Sequence, residues 1–171
     1  MTEPAGDEEA DAAALMAQAS DAIIAGVERL AGEWVVGAVT RIVDAWGGLP
    51  APARASTIEE ARAIAGTASA RVVGELREFF ATDPARQRTT PLAIVRTLRY
   101  EPTTVLAHAG IPGVERDEFD TRAFPDDVYG LVPQSLADLG DDDLAPMLMV
   151  WGVGKAKVLR RRSTGSAPSE P

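Results

Sequence analysis

A run of apolar residues at helical spacing dominates the first third of the sequence. Apolar side chains recur there every three or four residues, at Ile23, Val27, Leu30, Trp34, Ala38, Ile42 and Ala45. This spacing places them on one side of an α-helix, and that side has to be buried against another element. Gly47 and Pro50 follow, and they end the helix because glycine allows the left-handed turn and proline cannot continue the backbone hydrogen bonds. The pattern predicts one long amphipathic helix that begins near Asp11.

A second helical pattern follows a short connector and extends to about Ala81. The residues Ser56-Thr57-Ile58-Glu59 match a capping box, in which serine and glutamate satisfy backbone N–H groups at a helix start. The connector Pro50-Ala51-Pro52 is too short to let the second helix leave the first. We therefore expect an antiparallel αα-hairpin, in which the small residues early in the second helix approach the first helix most closely.

Shorter helical segments interrupted by prolines come next. Thr90 and Pro91 mark a helix start, with threonine as the N-cap and proline in the first turn. Pro102 disfavours helix at the residue before it, so the chain is expected to bend there and to restart a helix at Thr103.

The remaining residues predict two further helices. Residues 116–123 have the pattern of a short helix that carries Phe119. Residues 141–143 are three aspartates, which favour the positive end of a helix dipole, and the basic residues of segment 155–162 favour its negative end. A last helix with a basic C-terminal end is therefore predicted.

Together these patterns predict an all-α fold. A long antiparallel αα-hairpin over residues 12–82 should pack with shorter C-terminal helices over residues 89–162, through an irregular, proline-rich connector. The two parts form a single helical domain, residues 12–162. Residues 1–11 hold five acidic side chains and no base, and we expect a disordered acidic tail there. A second disordered tail is expected over residues 163–171.

Composition excludes several kinds of protein. The chain has no cysteine, which excludes disulfides and thiolate metal sites. Its most apolar segment, residues 23–46, contains five charged side chains, and this argues against a membrane helix. The first residues lack the basic and apolar regions of a secretory signal. We expect a soluble, cytoplasmic protein that does not interact with a membrane.

No set of residues indicates catalysis, a cofactor or a metal. His108 is the single histidine, and no serine–acid set accompanies it. Five acids lie close together in the sequence, at Asp117, Glu118, Asp120, Asp126 and Asp127. Their spacing is not that of an EF-hand loop, and a solvated face or pairing with Arg96 and Arg99 explains them better. We expect no enzymatic activity, no cofactor and no metal site.

Residues 151–159, WGVGKAKVL, have two interpretations. They resemble the hairpin of helix-hairpin-helix DNA-binding modules, where a turn such as Gly152-Val153-Gly154 offers backbone N–H groups to a phosphate. One helical phase nevertheless continues through the glycines, at Leu144, Met147, Leu148, Trp151, Val158 and Leu159. We predict a continuous helix on this periodicity.

Residues 89–162 as a whole resemble a family of small, conserved helical proteins of unknown function from actinobacteria. The resemblance depends on the segments TTPLAIVRTLRYEP, RDEF, FPDDVYGL and WGVGKAKVLR. It implies no activity, because no catalytic residue can be assigned to these segments.

Charge is distributed along the chain in blocks. Residues 84–100 carry four arginines and no acid, residues 101–143 carry eleven acids against two arginines, and residues 144–169 carry five bases and no acid. Exposed ion pairs contribute only ~0–1 kcal/mol each, so fold stability alone does not require such segregation. The blocks either pair within the fold or meet an external partner.

The main functional expectation is a non-enzymatic protein–protein interaction or regulatory adaptor protein. Its partner would be another protein or a second copy of the chain, bound near residues 91–133. Aromatic anchors and a polar rim are expected at Arg96, Arg99, Tyr100, Phe119, Phe124 and Tyr129.

The alternative is a nucleic-acid-binding protein. Cations for the phosphates would come from the basic last helix and from the loop after the hairpin, at Arg86, Arg88, Lys155, Lys157, Arg160, Arg161 and Arg162.

Overall fold

The computed structural model describes residues 5–114 and 127–165, and regular structure in these ranges is helical throughout. Five α-helices occur there: α1 (Ala5–Trp46), α2 (Ala51–Ala81), α3 (Pro91–Val95), α4 (Tyr100–His108) and α5 (Leu144–Gly165). Two 3₁₀ turns, Arg96–Arg99 and Leu136–Leu139, precede α4 and α5. The prediction of an all-α fold is confirmed. The predicted helix over residues 116–123 lies outside the described residues.

Helices α1 and α2 form the predicted antiparallel hairpin. Asp44 accepts a hydrogen bond of 2.7 Å from Arg54 beside the turn, and Ser69 Oγ donates to the carbonyl oxygen of Glu28 at 3.3 Å further along. Between these points Gly32 lies against Ala65, so that a Cβ placed on the glycine would be 3.5 Å from the Ala65 carbonyl oxygen. Small residues of the two helices are therefore in van der Waals contact at this level of the hairpin.

Helix α5 packs antiparallel on the N-terminal half of α1. Its first residue, Leu144, meets Gly26, and ten residues later Gly154 lies against the backbone of Ala12 and the side chain of Met16. A Cβ placed on Gly154 would lie 3.1 Å from the Ala12 carbonyl oxygen. The two glycines thus let the helices approach where bulkier residues would hold them apart.

The core has two parts, one at each end of α1. Around the N-terminal half of α1, side chains of α2, α3 and α5 pack together, and Phe79, Phe80 and Trp151 form an aromatic cluster with ring centroids 5.3–6.0 Å apart. The C-terminal end of α1 packs instead with α4 and with the buried residues Val114 and Leu131. Helix α1 is therefore the element shared by both parts.

Two helices begin earlier than the sequence predicts, and each has a proline in its first turn. The predicted capping box at Ser56 is wrong, because α2 already begins at Ala51 and carries Pro52 in its first turn. Pro102 likewise lies in the first turn of α4, so the predicted restart at Thr103 is also wrong. First-turn N–H groups have no acceptor within the helix, and a proline there loses no helical hydrogen bond.

The outer ends of the helices reach into both segments expected to be tails. Helix α1 begins at Ala5, and α5 continues to Gly165. None of the helices in the described residues is both long enough and apolar enough to cross a membrane.

Two glycines of α5 provide a matched test of its packing on α1. A Cβ placed on Gly152 would meet no atom of the described residues within 4 Å beyond the glycine's own neighbourhood in the helix. Gly152→Ala should therefore stabilise the protein, because alanine favours helix over glycine by ~1 kcal/mol. Gly154→Ala gains the same propensity but forces α5 away from the α1 backbone, which typically costs ~1–3 kcal/mol. Urea denaturation should give Gly154→Ala the lower free energy of unfolding of the two, and equal stability would contradict the close α1–α5 contact.

Candidate interaction surfaces

Two of the predicted partner-binding residues hold together segments of the chain itself. Arg96 Nε donates a 2.9 Å hydrogen bond to the Pro133 carbonyl oxygen, and the Tyr129 hydroxyl donates at 2.6 Å to that of Pro112. Phe119 and Phe124 lie outside the described residues. The hydrogen bonds that Arg96 and Tyr129 make within the fold therefore account for these two residues without an external partner.

Arg99 and Tyr100 form the solvent-facing part of the predicted surface. The Arg99 guanidinium lies 5.1 Å from the centroid of the Tyr100 ring, and Tyr100 is 50% exposed. Half of Tyr100 thus remains exposed beside the Arg99 guanidinium, and among the described members of the predicted set this pair is the best placed to meet another molecule.

The irregular segment after residue 126 is held in place by polar side chains. Both carboxylate oxygens of Asp127 accept backbone hydrogen bonds, from Leu131 at 2.7 Å and from Val132 at 2.8 Å. Arg41 of α1 donates to the carbonyl oxygens of Tyr129 and Gly130. Asp127, one of the acids considered for metal binding, thus stabilises a turn.

Helix α4 is attached to α2 by charged side chains. Arg71 donates to Glu101 and to Glu75, each at 2.9 Å. Burial would lower the pKa of the Arg71 guanidinium, but its hydrogen bonds to the two carboxylates raise that pKa above the usual value. His108 Nδ1 lies 2.8 Å from a carboxylate oxygen of Glu60 on the exposed surface. His108 therefore takes part in a link between helices.

The basic residues of α5 have different surroundings. The predicted continuous helix is confirmed, and the alternative of a hairpin at Gly152–Gly154 is wrong, because α5 passes through both glycines. Lys155 Nζ lies 5.1 Å from the centroid of the Trp151 ring. Arg161 pairs with Glu8 of α1. The block of bases is thus partly matched by acids and by an aromatic ring within the fold.

One ion pair brings the two basic segments together. Arg162 Nη1 lies 2.7 Å from Asp83 Oδ2, in the loop that follows α2. That loop continues into Arg86 and Arg88, which are both exposed, as are Lys157 and Arg160 of α5. Cations that are about seventy residues apart in the sequence therefore share one end of the molecule.

An apolar groove with small side chains in its floor lies between α1 and α2. It has a volume of about 790 Å³. Its lining residues come from both helices of the hairpin: Glu28, Arg29, Gly32, Glu33, Val36, Gly37, Arg62, Ala65, Gly66, Ser69, Ala70 and Val73. We name it the hairpin groove. Most of its residues lie off the apolar stripes that predict the helices, so the sequence does not reveal it.

Charged side chains form the rim of the hairpin groove. Arg29 is held by Asp141 at 2.5 Å, whereas Arg62 pairs with Glu59 of its own helix at 3.3 Å, where both side chains are exposed. Glu33 has no hydrogen bond or ion pair within the described part of the chain. The rim therefore offers an acid on α1 and a weakly held base on α2.

The position of Arg29 can be tested through the titration of Asp141. The backbone N–H of Asp143 and the Arg29 guanidinium both hydrogen-bond to the Asp141 carboxylate, and they lower its pKa below the usual 3.8. Because the folded-state pKa is lowered, the stabilisation is present above the unfolded-state pKa and is lost as the pH falls through the folded-state pKa.

Asp141→Asn should therefore lose less stability than the wild type when the pH falls from about 5 to about 2. Urea denaturation across this range measures the effect, with Asp142→Asn as the control at the adjacent exposed residue. The role assigned to Asp141 is incorrect if Asp141→Asn and the wild type show the same acid sensitivity.

No three His, Asp or Glu side chains in residues 5–114 and 127–165 are grouped so that they could hold a metal ion. Comparisons with known proteins found no family model, no curated protein and no solved structure that matches this chain. What the chain binds therefore has to be inferred from its own surface.

Proposed function

We propose that this chain is a non-enzymatic protein-interaction protein that uses the hairpin groove as its docking surface. The observation that carries the proposal is the open apolar floor between α1 and α2. Apolar surface of this kind gains free energy when a partner covers it, at roughly 25 cal/mol per Å² removed from water.

The shape of the groove suits an α-helix. Its lining residues extend from Glu28 to Gly37 along α1, which corresponds to about 15 Å of helix at 1.5 Å per residue. Beyond the neighbouring backbone of its own helix, a Cβ placed on Gly37 or Gly66 would meet no described atom within 4 Å, so a third helix can approach to the ~8–10 Å separation of packed helices. Helix-in-groove docking is a recurring mode of recognition.

The charges on the rim specify the partner further. Glu28 and Glu33 stand on α1, whereas Arg62 stands on α2. A helix that fits would carry an apolar stripe into the groove, with basic residues beside α1 and an acidic residue beside Arg62. Such complementarity fixes orientation and favours the correct partner more than it raises affinity.

Panning a displayed library of amphipathic helical peptides against the protein tests this proposal. The enriched peptides should bind at least ~10-fold more weakly to Ala70→Glu, because a carboxylate in the groove floor would be desolvated without a partner. Thr67→Glu is the matched control, since Thr67 is exposed on the same helix and does not line the groove. The proposal fails if no peptide is enriched, or if Ala70→Glu and Thr67→Glu bind the peptides equally.

Nucleic-acid binding is a second candidate function, favoured by the convergence of the two basic segments at the Asp83–Arg162 pair. Arg86, Arg88, Lys157 and Arg160 are all exposed at that end. A patch of this kind binds phosphates by releasing counterions, and its affinity falls steeply with salt.

Fluorescence anisotropy with labelled duplex DNA, single-stranded DNA and RNA tests the second candidate. Binding at about 50 mM salt should weaken by at least ~10-fold at about 200 mM, and Lys157→Ala with Arg160→Ala should weaken it further. The double variant Arg54→Ala and Arg77→Ala removes the same charge from other exposed positions and serves as the control. Absence of binding at the lower salt concentration would exclude this function.

A further inference from the structure

We infer that the helices which occupy the hairpin groove are α1 and α2 of a second copy of this chain. The inference rests on the proposed function, because it uses the same groove and names its partner. The two copies pack groove to groove, about a two-fold axis that runs parallel to the hairpin.

The register of the hairpin sets the heights of the rim charges. Gly32 lies opposite Ala65, and the carbonyl of Glu28 lies opposite Ser69. Because α2 runs antiparallel to α1, Glu33 and Arg62 stand at nearly the same height along the hairpin, on different helices.

A two-fold axis parallel to the helices keeps every residue at its height and exchanges the two sides of the hairpin. Helix α1 of one copy then lies on α2 of the other, in antiparallel orientation, as in an up-and-down four-helix bundle. Glu33 of each copy faces Arg62 of the second copy, so that two opposite-charge pairs form. The interface is self-complementary in charge.

The other simple arrangement is unfavourable. A two-fold axis across the helices would place α1 on α1 and α2 on α2, each with its direction reversed. Glu33 of one copy could then not face Arg62 of the other, and the two opposite-charge pairs would be lost. The rim therefore selects the parallel axis.

The side chains involved are available for contacts between copies. Glu33 makes no ion pair within the described ranges, and the pair of Arg62 with Glu59 leaves these side chains 61% and 73% exposed. An exposed pair of this kind is weak, so Arg62 can exchange its partner at little cost. Val36 and Ala70 supply apolar contacts in the groove between the charged rims.

The groove provides contacts along both helices of the hairpin. Its lining covers residues 28–37 of α1 and 62–73 of α2, about 15–18 Å of each helix at 1.5 Å per residue. Groove-to-groove packing therefore brings four helix segments of this length together.

Reversing the charges tests the pairing directly. Sedimentation equilibrium should show a dimer for the wild type, and Glu33→Arg or Arg62→Glu alone should raise its dissociation constant at least ~10-fold, because each variant places like charges together. An equimolar mixture of the two variants should restore dimers, since in a mixed dimer both pairs are again opposite in charge. Native mass spectrometry identifies that dimer by its mixed mass.

Two controls distinguish the loss of the Glu33–Arg62 pairs between copies from a loss of folding. Glu78→Arg changes the same charge at an exposed position of α2 outside the groove and should leave the dimer unchanged. Circular dichroism should show the same helix content for all variants.

Three outcomes would overturn the inference: a wild type that stays monomeric, single variants that dimerise as well as the wild type, or a mixture that fails to restore the dimer. A monomer whose groove still binds the helical peptides would overturn the second-copy assignment and leave the proposed function intact. A monomer that binds no peptide would remove both.

Discussion

The length of α1 is the constraint on which the rest of the structure depends. A helix of 42 residues extends for about 63 Å, and the 31 residues of α2 cannot bury it alone. Helix α5 packs along the N-terminal half of α1, from Gly26 to Ala12, and α5 and α2 meet over α1 at the Phe79–Trp151 contact, where the ring centroids are 5.5 Å apart. Aromatic rings supply much buried area in little space. This junction therefore joins the hairpin to the C-terminal helices in one core.

Among the elements of residues 5–114 and 127–165, the same arrangement leaves one face of the hairpin uncovered. Helix α4 packs on α2 through Arg71 and Glu101, and the segment from Asp127 onwards follows the opposite flank of α1, where Arg41 holds it. Neither element reaches the side where Gly32 and Gly66 lie. The hairpin groove is thus what remains after the described C-terminal elements have packed on the other sides of α1 and α2, and its floor consists of small residues.

The helices could be predicted from the sequence, but the groove and several contacts could not. Apolar periodicity and the Gly47 and Pro50 stop signals were sufficient for the body and the C-terminal end of α1, because a helix stripe is a local property. They did not give its start, since α1 begins at Ala5, among acidic residues without a large apolar side chain. The groove depends on which residues of α1 stand opposite which residues of α2, and that register is a property of the packed hairpin. Arg96 shows the same limit, since its position in the sequence does not reveal whether it faces another molecule or the Pro133 carbonyl oxygen. The start of α2 was missed because Ser56 matched a capping pattern, while the prolines before it are equally compatible with a first turn.

The charge blocks of the sequence are explained in part by pairing within the fold. Glu8 meets Arg161, Asp83 meets Arg162, and Asp141 meets Arg29, so the acidic and basic blocks neutralise one another at both ends of α5. A phosphate that approaches Arg161 or Arg162 has to displace a carboxylate, which reduces the gain from counterion release. The rim of the hairpin groove differs, because there Glu33 is unmatched within the described residues and Arg62 is held only by an exposed neighbour. Acidic and basic side chains that have few partners within the fold can pair with a protein surface that carries both signs of charge. A nucleic acid, which is a polyanion, would be repelled by the acidic ones. For this reason the protein–protein interaction is the first of the two proposed functions.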